Sequence, residues 1–136
     1  MRHRSSLVAC VFALLVATTM TGCSFSSSSL SVLETDRAAE DELPPLEADA
    51  YESVDTSTSR FIGEYEGVSL WVAQGTESPA CLAAVTEDGD AGPDWILSCG
   101  GLPIRMSGVG HTFELRPDGA PAPEDMTRVS ENVFVD

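Results

Sequence analysis

The chain contains no lysine: its 7 basic residues are all Arg, and they stand against 22 Asp and Glu in 136 residues. The formal net charge is −15. Phosphate binding depends on clustered Lys and Arg that release counterions, so this balance excludes nucleic acid as a partner. It excludes a polybasic hold on anionic lipid on the same ground. Histidine is nearly as scarce, with His3 near the start and His111 the only one after it. A multi-histidine metal site is thereby excluded, and any Ser-His or Cys-His mechanism would depend on His111 alone. Neither G-x-S-x-G nor C-x-x-C occurs, which removes the commonest hydrolase elbow and the thioredoxin-type redox pair.

One apolar run stands out, Leu7 to Met20, preceded by the positive stretch Met1-Arg2-His3-Arg4. As a helix it would span about 21 Å, short of the roughly 30 Å hydrocarbon core. It reads as the h-region of a secretory signal and not as a permanent span. The segment Met20-Thr21-Gly22-Cys23 follows, and here the chain resembles the precursors of bacterial lipoproteins. That resemblance implies a diacylglyceryl group on the Cys23 thiol and removal of residues 1–22. The mature protein would then sit on the extracytoplasmic face of the cell membrane, held there by its lipid. Two acyl chains hold a bilayer without help from basic residues. Without Arg2 and Arg4 the 5 remaining Arg face the same 22 acids, a net −17.

From Cys23 to residue 59 the chain is acidic and rich in Ser and Thr, with Pro44-Pro45 in the middle and Arg37 its only base. No apolar period of two or of 3.6 persists there. Low hydrophobicity with high charge predicts a disordered tether, averaging roughly 30–36 Å as a flexible coil. Within it, a short helix is expected from about Leu33 to Leu43.

The composition shifts at Arg60, and residues 60–136 are expected to be the folded part. A turn over Gly63 to Val68 leads into a strand from Val68 to Ala73. The segments Cys81 to Thr86 and Trp95 to Cys99 flank a loop with turn residues and form a hairpin. If Cys81 faces Cys99 across it, Ala83 faces Leu97 and Val85 faces Trp95, which places six apolar side chains on one face. Cysteine spacing and hydrophobic pattern thus support one register. With Cys23 committed to lipid and Cys10 removed, Cys81 and Cys99 form an even pair in an oxidising compartment and are expected to be a disulfide. Shorter strands are predicted over Ile104–Met106, Thr112–Leu115 and Asn132–Val135, and one helical turn over Glu124–Arg128. Turns at this spacing indicate an all-β fold, a small antiparallel meander, sandwich or barrel.

The pattern Cys81-Leu82, Trp95, Cys99-Gly100-Gly101, Leu115-Arg116-Pro117-Asp118-Gly119 and Asn132-Val133-Phe134-Val135 resembles small envelope proteins of high-GC Gram-positive bacteria, over about residues 60–136. The resemblance implies a location and no activity.

The candidates for chemistry are few. Glu64 and Glu66 would share a strand face, as paired catalytic carboxylates do, but the neighbouring Gly63 and Gly67 favour a solvated turn. The loop Glu87-Asp88-Gly89-Asp90 to Asp94 carries four carboxylates without the spacing that wraps Ca²⁺. Gly108-Val109-Gly110 lacks the strand-then-helix setting of a phosphate loop. Trp71 and Trp95 fall at core positions. No cofactor, metal site or catalytic residue is expected. The reading is a lipid-anchored binding or interaction module, its partner another envelope protein or a small ligand. The alternative is a surface hydrolase acting on envelope polymers through His111 with Glu114 or Asp118.

Overall fold

The structure is a computed structural model that describes residues 29–87 and 92–136. Cys23, the segment before it and the tip of the acidic loop lie outside the described residues. Eight strands form two antiparallel sheets. The first is a meander of β1 (Val54–Tyr65), β2 (Val68–Gly75), β3 (Ala80–Thr86) and β4 (Trp95–Gly100). The second has the order β5-β6-β8-β7, from β5 (Ile104–Gly108), β6 (His111–Leu115), β7 (Thr127–Arg128) and β8 (Val133–Val135). The sheets face each other across one core. Val68, Leu70, Val72, Leu82 and Ala84 meet Ile104, Met106, Phe113, Leu115, Val133 and Val135 there. Of the three all-β forms expected, the sandwich is the one present.

The expected hairpin register holds residue for residue: Cys81 pairs with Cys99, Ala83 with Leu97 and Val85 with Trp95. Cys81 and Cys99 are joined by a disulfide, with Cα atoms 4.0 Å apart. At the far end of β5, where it turns into β6, a side chain on Gly108 would collide with that of Ile96 on β4, so this close approach of the two sheets favours glycine.

The expected turn over Gly63 to Val68 is shorter than the sequence suggests. β1 continues to Tyr65, and only Glu66 and Gly67, at φ 49° and 80°, make the turn. Both central residues at positive φ match the twist of the strands they join. The helical turn expected at Glu124–Arg128 is instead a short edge strand, Thr127–Arg128, paired to β8.

The largest correction concerns the tether. Residues 29–53 do not hang free of the domain: they lie along it as a strap, and β1 starts at Val54, six residues before the expected boundary at 60. The helix expected from Leu33 to Leu43 is two 3₁₀ turns, Ser31–Glu34 and Ala39–Asp41. Leu30 is buried in the main core, with Val32 and Leu33 packed beside it. Further along, Leu43, Leu46 and Tyr51 cover the outer face of the first sheet, over Trp71, Ala73, Cys81, Ala83 and Val85. An average over this segment is polar, but its few apolar residues each find a seat. Disorder follows when apolar surface is too sparse to offset chain entropy; here the sheet supplies the missing surface.

β3 explains why a cover is needed. Every residue from Ala80 to Val85 is buried, on both faces of the strand. Such continuous burial is expected only where a sheet is covered on both sides. The second sheet covers one side and the strap covers the other.

Candidate functional site

β1 is broken by a wide bulge that shapes the candidate site. Asp55 pairs with Gln74, but the next paired residue is Arg60, opposite Val72, so residues 56–59 loop out beside a single partner position. Local hydrogen bonds set the loop. The Asp55 carboxylate accepts from the Ser57 amide at 3.1 Å and from its hydroxyl at 2.6 Å, and Thr58 Oγ1 accepts from the Gln74 amide at 2.8 Å. Asp and Ser favour such closures because their short side chains reach nearby backbone groups.

Charged groups fasten the strap to this bulge. The Arg60 guanidinium, buried, donates to the carbonyls of Leu33 (3.1 Å), Thr35 (3.1 Å), Thr58 (2.9 Å) and Ser59 (2.9 Å). Its fork of donors thus ties strap and bulge together through main-chain oxygens. Asp41, 6% exposed, accepts from the amides of Ala38 at 2.7 Å and Phe61 at 2.8 Å. The Trp71 indole donates to the Glu40 carbonyl at 3.1 Å. Arg37 donates through Nε to the Ser59 carbonyl and through Nη2 to the Ser59 hydroxyl at 3.0 Å. Among the described residues nothing meets its Nη1.

Between strap and bulge lies an open cavity of about 780 Å³. Arg37, Tyr51, Thr56 and Ser57 supply polar groups, and Leu43, Pro44, Pro45 and Leu46 supply apolar wall. Glu42 and Glu47 stand at it as well. Tyr51 closes the strap on itself by donating from its hydroxyl to the Pro44 carbonyl at 2.8 Å. Burial pushes the Tyr51 phenol up to about 12. It therefore stays a neutral donor throughout the physiological range. A smaller cleft of about 200 Å³ adjoins the first across Pro45, Leu46 and Glu47, with Trp95 and Pro93 on its far side. Size, apolar wall and a few convergent polar groups are the features of a small-ligand site.

The residues singled out in the sequence fall elsewhere. His111 opens β6, with Nε2 3.4 Å from a Glu66 carboxylate oxygen and its ring edge-on to Tyr65 and Phe113. It does not meet Glu114 or Asp118. Three residues separate His111 from Glu114 along one strand, so the two point to opposite sides of the sheet. Glu114 is engaged by Arg105 at 3.5 Å and by Arg116. Asp118 accepts from the Ser31 amide at 2.8 Å and from Asn132 Nδ2 at 2.9 Å, and its own amide donates to the Ser29 carbonyl at 3.0 Å. Partial burial raises the Asp118 carboxyl, but the hydrogen bonds from Asn132, Ser31 and Ser29 outweigh it and hold the group below the usual carboxylate range.

Glu64 and Glu66 do not share a strand face, since Glu64 pairs with Ser69 in the ladder while Glu66 is in the turn. Gly108-Val109-Gly110 is a tight β5–β6 turn, with Val109 and Gly110 at positive φ. Trp71 is buried, and Trp95 is half-buried at the rim of the smaller cleft. Among the described residues no group of three or more His, Cys, Asp or Glu could hold a metal ion.

Sequence reasoning missed Arg37, Tyr51 and Thr56 as cavity residues because they sit in the segment taken as a spacer. The one local signal was Pro44-Pro45, a stiff pair in an otherwise flexible composition. Comparison with family models, with curated proteins and with solved structures found no match for this chain.

Proposed function

We propose that the chain is an extracytoplasmic protein anchored to the cell membrane by lipid on Cys23, and that it binds a small ligand or an envelope peptide in the cavity beneath its strap. The observation that carries the binding reading is the cavity itself, whose lining brings Arg37, Thr56 and Ser57 together with the apolar Leu43, Pro44, Pro45 and Leu46. This set suits a ligand with one acidic group next to an apolar portion. The guanidinium supplies charge-assisted hydrogen bonds to the acid, and Leu43 and Leu46 cover the rest.

The location rests on three features. They are the positive n-region and apolar run ending at Met20-Thr21-Gly22-Cys23, the resemblance to lipoprotein precursors, and a disulfide of the kind that persists in oxidising compartments.

Native mass spectrometry of the protein extracted from its own membranes tests both parts. The expected spectrum shows a diacylglyceryl increment on Cys23 and a co-purifying small molecule or peptide that Arg37→Ala loses. An unmodified Cys23 contradicts the anchor. Ligand retained equally by Arg37→Ala contradicts the assignment of the cavity.

A further inference from the structure

We propose that the cavity beneath the strap and the smaller cleft beside it bind one short peptide with free ends, its carboxylate at Arg37 and its ammonium group at Glu47 beside Trp95; this rests on the cavity being a ligand site. Charge carries the first step. Arg37, Glu42 and Glu47 line the larger cavity, and Glu47 lines the smaller cleft as well. The site thus holds one base against two acids. Among the described residues none of the three forms an ion pair, and the hydrogen-bond partners of Arg37 are all carbonyl or hydroxyl oxygens. Residues 29–53, the strap, carry eight acids and this single base. A ligand with a carboxylate alone matches Arg37 and is repelled by the rest. A ligand with an ammonium group as well matches both signs.

The hydroxyl groups carry the second step. Tyr51 donates to the Pro44 carbonyl at 2.8 Å, and Ser57 donates to the Asp55 carboxylate at 2.6 Å. A hydroxyl has one proton to give and two lone pairs, so both oxygens remain to the cavity as acceptors. Pro44 and Pro45 have no amide N–H to offer. With the two carboxylates, these groups make a lining dominated by acceptors. The N–H groups of a peptide supply the donors such a lining needs; the acyl chain of a fatty acid has none.

The smaller cleft orients the peptide. Glu47 and Trp95 line it without any basic residue. A carboxylate beside an aromatic ring suits an ammonium ion, which gains from the charge and from the ring face. Arg37 belongs only to the larger cavity and Trp95 only to the smaller cleft, while Pro45, Leu46 and Glu47 are common to both. A ligand that reaches from Arg37 to Trp95 therefore passes along this stretch of the strap. The two charges of a free amino acid sit on one carbon and stay together. A peptide separates them by up to about 3.6 Å per residue, which leaves its apolar side chains over Leu43 and Leu46.

Isothermal titration calorimetry on the full chain tests the proposal with three probes: the peptide alanyl-leucyl-alanine, its N-acetyl form and its C-terminal amide. The free peptide is expected to bind tightest, and capping either end to weaken binding about fivefold. Glu42 and Glu47 are both exposed, so neutral substitutions there leave the fold in place. Glu47→Gln should remove the cost of N-acetylation, and Glu42→Gln should retain it. Equal affinity for the free and N-acetyl peptides overturns the ammonium site and leaves an acid-binding cavity standing. A cost of N-acetylation that survives Glu47→Gln overturns the placement of the ammonium group at Glu47. Equal affinity for the free peptide and its amide overturns the role of Arg37, and the acidic-ligand reading falls with it. No binding of any probe overturns the peptide class, while loss of the co-purifying ligand in Arg37→Ala still decides the binding reading separately.

Discussion

The two faces of the first sheet are buried to similar depth by different means. The inner face packs against a second sheet, with Leu70, Leu82, Phe113 and Leu115 all fully covered. The outer face carries Trp71, Ala83, Val85 and the disulfide, and its cover is a strap of little regular structure fastened at Leu43, Leu46 and Tyr51. Sheet against sheet repeats its contacts at period two, whereas strap against sheet relies on separate apolar points, helped by polar ties at Leu33, Thr35, Glu40 and Asp41. The first arrangement makes a close-packed core. The second leaves room beside it, and the cavity lies there.

The largest effect that distinguishes the faces is expected on the inner one. Phe113→Ala should cost about 3–5 kcal/mol in urea unfolding, because a fully buried ring leaves a cavity that two sheets cannot close. Removing the outer-face staple with Cys81→Ala and Cys99→Ala should cost about 3 kcal/mol, the loop-closure value for a separation of 18 residues. If the staple variant lost more than the core variant, the ranking of the two faces would be reversed.

Two substitutions in the strap sharpen the contrast. Asp41→Ala strips the partner from the Ala38 and Phe61 amides and should cost about 1–3 kcal/mol. Leu43→Ala should cost about 1 kcal/mol, since this side chain is only half-buried and a strap can settle over a small gap better than a sheet can. Both should also weaken retention of the proposed ligand, which Phe113→Ala at equal residual stability should not.

The smallest effect concerns pH. Asp118 is held below the usual carboxylate range in the folded protein. Its clasp on Ser29 and Ser31 therefore contributes stability that is present above the unfolded value of about 3.9 and is lost as pH falls through the lower folded value. Amide exchange at Ser31 should quicken over that acid window, and Asp118→Ala should remove the dependence. For Tyr51 the sign is opposite. Its contribution is complete below about 10, the unfolded value, and fades as pH rises toward about 12.

How much of this was legible depended on where each residue's partner lies. The β3–β4 register could be read because Cys81, Ala83 and Val85 meet Cys99, Leu97 and Trp95 within one hairpin, where alternation and spacing are both local. β1 was obscured by its own bulge, since Asp55-Thr56-Ser57-Thr58-Ser59 has the composition of a linker and interrupts the alternation a strand would show. The strap was hidden for a different reason. Leu30, Leu43, Leu46 and Tyr51 follow neither strand nor helix period, and their partners, such as Trp71 and Leu97, are remote in sequence. The continuous apolar run of β3 held the one available sign, since a strand without a polar face asks for a cover on each side.

The claim on which the rest depends is that the strap belongs to the folded body. A NOESY spectrum of the intact chain tests it most directly. The account predicts cross-peaks from the Leu43 methyls to the Trp71 ring and the Leu97 methyls, with a slowly exchanging Trp71 indole N–H held by the Glu40 carbonyl. Random-coil shifts over residues 30–51, with a freely exchanging Trp71 indole, would contradict it.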